Sequence, residues 1–446
     1  MQEVAPKDSE QIEPRVVLQV ERMVAGGLGL GRDESGRILL VEGGLPGERV
    51  AVHVTQSSQR MARGVVREVL APAEGRRVAP CAEVDAGCGG CDLQHAQPDL
   101  QLRVKVEIVT DALFRIAHLS QVPISIGQEL PSTRYRTTLR CAVTAHASEA
   151  RPALEKGPAL EISHAGQIDA VAQVGAVGFR KRQSHEVHPV ASCLVAHPLI
   201  EELMQAGNFA GATEVTFRVG ARTAERMVIV AGQAKPNKAF GLPEDVRVVA
   251  QEALSGGAQA WIHEHVAGHR FRISARSFFQ ARPDGAEALI AAVARAVAPF
   301  DAVSDRLVDL YGGVGLFTAG LSAQRAVLVE RSESSISDAR INLAELGTKI
   351  FSGSVERWKP VAADVVVADP ARAGLNVSGV AAISATGAER VALVSCDPAS
   401  LARDLALFVQ AGFEVGGVEL VDMFPQTHHI ETVATLRRVS ASKVAE

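Results

Sequence analysis

Aromatic residues are scarce in this chain: 14 Phe, two Trp and two Tyr among 446 residues. Its core must therefore be aliphatic, built from Val, Ala and Leu. No apolar run approaches the length of a membrane span. The opening stretch "MQEVAPKDSEQIEP" is polar and acidic and has no apolar signal core, so a cytoplasmic protein is expected. Positive charge is not in excess either. The net charge of −5 means that bulk electrostatics announce no nucleic-acid partner, and any basic surface must be local. Cysteine is sparse. Six in a long cytoplasmic chain argue against a disulfide framework and toward metal or catalytic use.

What is present is globular: 47% hydrophobic and 22% charged residues, at a length that suits about two to three domains. Residues 13–74 hold short β-rich segments ("VVLQVER", "GRILLVEG", "RVAVHVTQ") between glycine turns such as "AGGLGLGRDESG", which predicts a small OB-like β-barrel. Its end is locally basic, with five Arg against two Glu from Arg60 to Arg77, a net +3. Such a run suits RNA or simply a solvated face. Residues 75–268 open with a cysteine cluster and contain strand-like runs ("YRTTLRCAVTAHA", "VTFRVGA", "RMVIVAGQA"), read as an α+β domain. Residues 269–446 alternate apolar runs with helical stretches. "RLVDLYGGVGLF", "RAVLVE", "ADVVVADPARAG" and "RVALVSCDP" read as strands of a doubly wound α/β sheet, and "FEVGGVELVDMFPQTHHIETVATLRR" as two strands around a loop. Ligands bind such sheets at the carboxyl ends of the strands, where Asp309 to Tyr311, Glu330, Asp369 and Cys396 all fall.

Gly313 and Gly315 follow the first of those strands and let the backbone turn tightly against a ligand. A dinucleotide fingerprint would want a small residue where Thr318 stands. Glu330 ends the next strand and can accept both ribose hydroxyls of an adenosine, and the glycine pattern favours S-adenosylmethionine. The bland alternative is an ordinary strand–helix turn.

"CAEVDAGCGGCDLQH" groups Cys81, Cys88 and Cys91 as C-x6-C-x2-C. Three thiolates need a fourth ligand to complete an iron–sulfur or a tetrahedral zinc site. Cys193 is the best distant candidate, and His95 or His188 could substitute in a zinc site. Spacing alone does not separate the two metals. Cys141 reads as a small buried hydrophobe.

Cys396 lies between an apolar strand and a helix opened by Asp397 as N-cap and Pro398 at the first helical position. A helix N-terminus favours a thiolate, whereas the Asp397 carboxylate opposes one. On this segment alone, a core cysteine and a nucleophile are both tenable.

Taken in order, the motifs resemble the RNA 5-methyluridine methyltransferases that carry a TRAM domain and an iron–sulfur cluster. The likeness spans nearly the whole chain. It runs through the TRAM-like barrel, "CAEVDAGCGGCDLQH", "GFRKRQSHEVHPVASC", "SFFQARPDGAEAL", "DLYGGVGLF", "DPARAGL", "SCDPASLARDL" and "DMFPQTHHIET". The resemblance implies a C-terminal Rossmann-like class I methyltransferase domain. It makes Cys396 the nucleophile and Glu431 the general base. It implies that Gln280, Tyr311, Glu330 and Asp369, with the Gly313 and Gly315 loop, bind S-adenosylmethionine, and that Cys81, Cys88, Cys91 and Cys193 hold a [4Fe-4S] cluster. Asp369 is expected to orient uracil or cofactor and Arg372 to touch RNA. The RNA expected is large-subunit ribosomal RNA first and the tRNA T-loop second, bound by a monomer with no membrane partner.

This chemistry needs one thiolate and one base. Addition of a thiolate to C6 of uracil makes C5 carbanion-like, and a base must later remove the C5 proton so that the cysteine can leave. The chain departs from the family pattern in three places. Gly312 stands where Cys is common, Leu316 where some relatives have a polar contact, and Asp397 where Asn is usual, which should raise the thiol pKa. A non-catalytic RNA-binding scaffold would predict loss of Cys396 or Glu431, and both are present. A cytosine enzyme would show Pro-Cys or Thr-Cys, whereas Ser395 precedes Cys396 here.

Overall fold

Alternating burial along Arg15–Val24 closes the first unit into a barrel. The computed structural model describes residues 15–144, 175–182, 184–232 and 240–439. The acidic N-terminal stretch, the end of "YRTTLRCAVTAHA", the last two residues of "RMVIVAGQA" and Gln183 lie outside the described residues. Strands β1 (Arg15–Val24), β2 (Leu28–Arg32), β3 (Ile38–Glu42), β4 (Arg49–Ser57) and β5 (Met61–Ala71) form a closed barrel in the order β1-β2-β3-β5-β4. Leu18, Val20, Leu39, Val41, Val50 and Val52 fill it. Strand β2 falls inside the stretch expected to be a glycine turn. A Cβ on Gly31 would stand 2.4 Å from the Gln19 carbonyl, so the barrel wall demands glycine within a strand.

Helix α1 (Ala82–Asp85) follows in the cysteine run. Helix α2 (Pro98–Ala112), opened by Pro98, and strand β6 (Ile124–Ile126) then cross to the far end of the molecule. The central sheet has the order β12-β11-β10-β7-β8-β9. It comprises β7 (Thr138–Val143), β8 (Val177–Arg180), β9 (Val187–Pro189), β10 (Ala212–Val219), β11 (Arg226–Gly232) and β12 (Arg247–Ala250), accompanied by α3 (Pro198–Ala206) and α4 (Gln251–Ser255). A hairpin, β13 (Trp261–Val266) and β14 (His269–Ser274), leads into the C-terminal portion. The turn of this hairpin contains the 268/269 division expected between domains.

The C-terminal portion runs α5 (Pro283–Val297), β15 (Leu307–Leu310), α6 (Leu316–Gly320), β16 (Ala326–Glu330), α7 (Glu333–Asn342), β17 (Lys349–Ser352), β18 (Val365–Ala368), α8 (Asn376–Ala385), β19 (Arg390–Ser395), α9 (Pro398–Gln410), β20 (Phe413–Val421) and β21 (Glu431–Arg438). Its sheet has the order β17-β16-β15-β18-β19-β21-β20-β6. β17 through β19 are parallel, while β21 runs antiparallel to both β19 and β20. The parallel strands read as unbroken apolar runs because helices cover both faces. Val365 and Val367 join the core under α5 and α6, whereas Val366 and Ala368 join the core under α2, α8 and α9. Leu405 of α9 is fully buried there, and its truncation to alanine would cost about 2–5 kcal/mol. This is the doubly wound α/β sheet anticipated for this portion. Strand β6, which lies far upstream in sequence, supplies the edge of its sheet by pairing in parallel with β20.

Candidate active site and the cysteine-lined cavity

The strand order of this sheet reverses between β15 and β18, the point at which open α/β sheets bind ligands. Leaving β15, Tyr311 adopts φ +59°, followed by Gly313 at +54° and Gly315 at +93°. Left-handed backbone at a bulky residue is strained, as happens at functional loops. A Cβ on Gly315 would lie 2.7 Å from Leu343, whereas Gly313 faces open space. The Gly313 N–H donates to Glu330 Oε2 at 3.0 Å, and the Glu330 Oε1 accepts from the Arg331 and Ser332 N–H groups at 2.8 and 2.6 Å. Glycine loop and carboxylate are thus one unit. Asp309 sits beside it, fully buried; its Oδ2 accepts from the Thr318 hydroxyl at 2.7 Å, and its Oδ1 has no hydrogen-bond partner. An open glycine cradle with an orphaned buried oxygen fits a polar ligand such as S-adenosylmethionine. Tyr311 turns its hydroxyl toward Gly379 of α8, and burial raises its pKa to about 12.

Cys396 and Glu431 meet at the same edge. Ser395 pairs with Thr432 in the β19–β21 register, which sets the next residues, Cys396 and Glu431, opposite each other. Burial pushes the Cys396 thiol up to about 11, helped by the negative charges of Glu431 and Asp369 and opposed by Arg372. Glu431 is raised to about 8, by burial first and then by Asp369, with Arg372 pulling it down. Asp369 is raised to about 7 by burial and by Asp309. Asp397 was expected to be what raises the thiol. Its carboxylate fills the expected N-cap of α9, accepting the Ser400 N–H at 2.7 Å, and the charges that raise the thiol are those of Glu431 and Asp369.

Gln280 is buried. Its segment is tied to the helix after Glu330 through Asp338, which accepts from the Ser274 N–H (2.7 Å) and the Ser274 and Ser277 hydroxyls (2.7 and 2.6 Å) and forms an ion pair with Arg272 (3.1 Å). Asn342, one turn further along α7, donates to the Arg272 and Val314 carbonyls at 3.1 and 3.0 Å, joining β14 to the glycine loop. Asp404 of α9 accepts the Leu375 and Asn376 N–H groups at 2.7 and 3.0 Å and so fixes the turn that carries Arg372. Sequence reading missed Asp338, Asn342 and Asp404. For Asp404, a carboxylate on the apolar side of amphipathic α9 was the available signal; α7 is too polar to offer one for Asp338 and Asn342.

A second constellation stands apart from this edge. Cys81, Cys88, Cys91 and Cys193 line one cavity of ≈ 40 Å³ together with Gly90, Gln94, Arg136 and Phe179. Among the described residues, no group of three or more His, Cys, Asp or Glu is placed to hold a metal ion. The four sulfurs therefore border a space and do not converge on one point. N–H groups of Gly90, Val195 and Ala196 reach the sulfurs of Cys88 and Cys193, and Gln94 reaches that of Cys91. Burial raises all three thiols, Cys91 to about 12. Cys88 and Cys91 are buried and Cys81 and Cys193 half-buried, so the cavity is a thiol-lined space with N–H donors beside three of its four sulfurs. His188 is engaged by Glu83 at 2.6 Å. Cys141 is buried and packs in the same core as Cys88.

A family model described as tRNA (Uracil-5-)-methyltransferase matches residues 357–439, and a TRAM domain model matches residues 17–66. An uncharacterized RNA methyltransferase of Streptomyces avermitilis is 34% identical over 453 residues, covering 94% of this chain and 97% of the relative. The chain belongs to this RNA methyltransferase family. Another member, from Streptomyces coelicolor, is 32% identical, with 94% and 92% of the two chains covered. The crystal structure of Pyrococcus abyssi tRNA (uracil-54, C5)-methyltransferase in complex with S-adenosyl-L-homocysteine shares the fold, with a TM-score of 0.66, 21% identity and coverage of 94% of this chain and 99% of that one.

Against the family pattern, a Cβ at Gly312 would stand 2.6 Å from Leu328 and 3.1 Å from Asp309, so Leu328 occupies the room a cysteine there would need. The basic run is partly structural. Arg76 binds buried Glu48 and Arg77 binds Gln426. Arg182, further along, binds Glu42 and the Cys91 carbonyl. Arg60, Arg63 and Arg67, on or just before β5, remain exposed.

Proposed function

We propose that the protein methylates C5 of a uridine in RNA through a covalent Cys396 adduct, with S-adenosylmethionine as methyl donor. The observation that carries this reading is the Cys396–Glu431 juxtaposition at the sheet's ligand-binding edge. Cys396, as thiolate, adds to C6 of uracil, and the ring becomes an enolate. C5 then takes the methyl group from the sulfonium, releasing S-adenosylhomocysteine. Glu431 removes the C5 proton, the C5–C6 double bond re-forms and the thiolate departs. Gln280, Tyr311, Gly313, Gly315, Glu330 and Asp369 would hold the donor, which supplies an electrophilic methyl. A carboxylate with a pKa near 8 is well matched to accept a proton near neutrality.

The target base must leave its stack to reach this edge. The barrel, with Arg60, Arg63 and Arg67 exposed, supports RNA docking. Large-subunit ribosomal RNA is the substrate we favour over the tRNA T-loop, for a monomeric cytoplasmic enzyme. Cys81, Cys88, Cys91 and Cys193 would hold a [4Fe-4S] cluster that cross-links the segments around their cavity. Iron and acid-labile sulfide in about equal amounts per chain would support the cluster; stoichiometric zinc would overturn it.

The decisive experiment incubates the protein with ribosomal and transfer RNA fragments containing 5-fluorouridine, plus S-adenosylmethionine. Fluorine replaces the proton that Glu431 must remove, so the adduct is trapped. A methylated adduct mapped to Cys396 supports the reading and identifies the RNA. No adduct with any fragment, while the donor still binds, overturns it.

A further inference from the structure

Residues 422–430 connect β20 to β21 and deliver Glu431 to the edge. A connection of this length is ordinarily mobile. Here it is braced by segments far away in sequence. Lys105 donates to Asp422 Oδ1 at 2.6 Å and to the Phe424 carbonyl at 3.0 Å, and the Tyr135 hydroxyl donates to the Pro425 carbonyl at 2.8 Å. The focus is Gln426, a buried residue with φ +70°. A non-glycine residue holds that conformation only when its surroundings over-determine it.

Those surroundings are the cysteine run and its flanks. The Asp92 and Leu93 N–H groups donate to the Gln426 carbonyl at 3.2 and 3.0 Å. The Gln426 N–H donates to Gln101 Oε1 at 2.8 Å. Its side-chain Oε1 accepts from Arg77 at 3.0 Å and from Gln101 Nε2 at 3.1 Å. Two residues on, the His428 N–H donates to Asp92 Oδ1 at 2.8 Å, and the His428 ring pairs with Asp92 Oδ2. Asp92 directly follows Cys91, which lines the thiol cavity.

We propose that Gln426 is a positioning residue for Glu431, and that the cysteine run sets the reach of the base by clamping Gln426 and His428. The inference rests on the covalent reading above. The two halves of that reaction depend on different supports. Cys396 is held by β19 and α9, so thiolate addition and methyl transfer need no help from the 422–430 loop. Removal of the C5 proton needs Glu431 in place. Loosening the clamp must therefore slow the second half and spare the first.

Two variants test this. Gln426→Gly keeps the left-handed backbone and its backbone bonds while deleting those of the side chain. Asp92→Ala removes the acceptor for His428. The probe is an RNA fragment that the wild-type protein methylates, used with ordinary uridine and with 5-fluorouridine. The expected result is adduct formation on 5-fluorouridine within about 2-fold of wild type, turnover on uridine lower by about tenfold or more, and a methylated Cys396 adduct accumulating on ordinary uridine, as in Glu431→Gln. Hydrogen exchange at residues 427–431 should quicken in both variants. Parallel loss of adduct formation and turnover would mean a merely structural role and overturn the proposal, as would wild-type turnover in both variants. Absence of an adduct in the wild-type protein itself overturns the parent reading, and this one with it.

Discussion

The Thr432 hydroxyl donates to the Ser395 carbonyl at 3.0 Å, bolting the strand that ends in Cys396 to the strand that begins with Glu431. The pairing sets the backbone of Glu431 opposite Cys396, and the 422–430 connection just before it sets where its carboxylate reaches. Residues 35 positions apart are brought face to face by the one strand that runs against its neighbours.

Replacing Cys396 with alanine should lower methyl transfer by about 10³-fold or more. Binding of S-adenosylmethionine, read by calorimetry, should stay within about twofold, because none of the residues assigned to the donor is altered. Comparable loss of both would place Cys396 among the groups that hold the donor.

The thiol pKa near 11 means that Cys396 is almost wholly protonated at neutral pH in the free protein. Its alkylation by iodoacetamide should then rise about tenfold per pH unit between pH 7 and 9. Arg372→Ala removes the one named charge that favours the thiolate, so the same variant should react more slowly at every pH in that range. A plateau at pH 8 would contradict the burial seen around this sulfur.

Asp309, Asp369 and Glu431 carry folded-state values raised to about 6, 7 and 8. Between their unfolded values and these, the folded chain binds more protons than the unfolded one. Their contribution to stability should therefore fall as pH rises from about 4 to 8, against the opposite trend of His95 and His429, which burial lowers to about 4. Glu431→Gln, which has no charge to desolvate, should melt higher than wild type at pH 9, by about 2 °C or more. That difference should vanish by pH 4. A variant that melts lower at pH 9 would show that Glu431 is stabilising as a carboxylate.

Asp338 supports Gln280 only indirectly, yet it gathers three hydrogen-bond donors and an ion pair with Arg272 from the segment leading to it. Asp338→Ala should destabilise the fold by about 2–3 kcal/mol, read from chemical denaturation. It should also weaken S-adenosylmethionine binding by about tenfold in calorimetry, in line with a lost positioning contact. Unchanged affinity would detach the Gln280 segment from the donor site.

Much of the C-terminal sheet was legible in the chain, because parallel strands buried on both faces are apolar runs ending in Asp, Glu or Cys. Val365–Ala368 and Arg390–Ser395 are of that kind. The barrel was legible where burial alternates, as along Ile38–Glu42. It was not legible at Leu28–Arg32, where close backbone approach selects glycine inside a strand and mimics a turn. Nor was Ile124–Ile126, three residues whose strand state comes entirely from a partner far along the chain. The motifs located Cys396 and Glu431. No local pattern pointed to Gln426, since its partners Arg77, Asp92, Leu93 and Gln101 lie in another part of the sequence.

The parallel pairing of β6 with β20, and the packing of α2 in the core beneath α9, also have a consequence for biosynthesis. Residues 98–126 emerge from the ribosome long before the strand and helix that cover them. The part of α2's apolar face that lies beneath α9 must wait uncovered until nearly the whole polypeptide has been made, although β1 and the barrel side with Met23 and Leu45 precede it. Folding of the catalytic sheet is then a post-translational event, and truncated chains that stop short of Phe413 would carry that face exposed to aggregation.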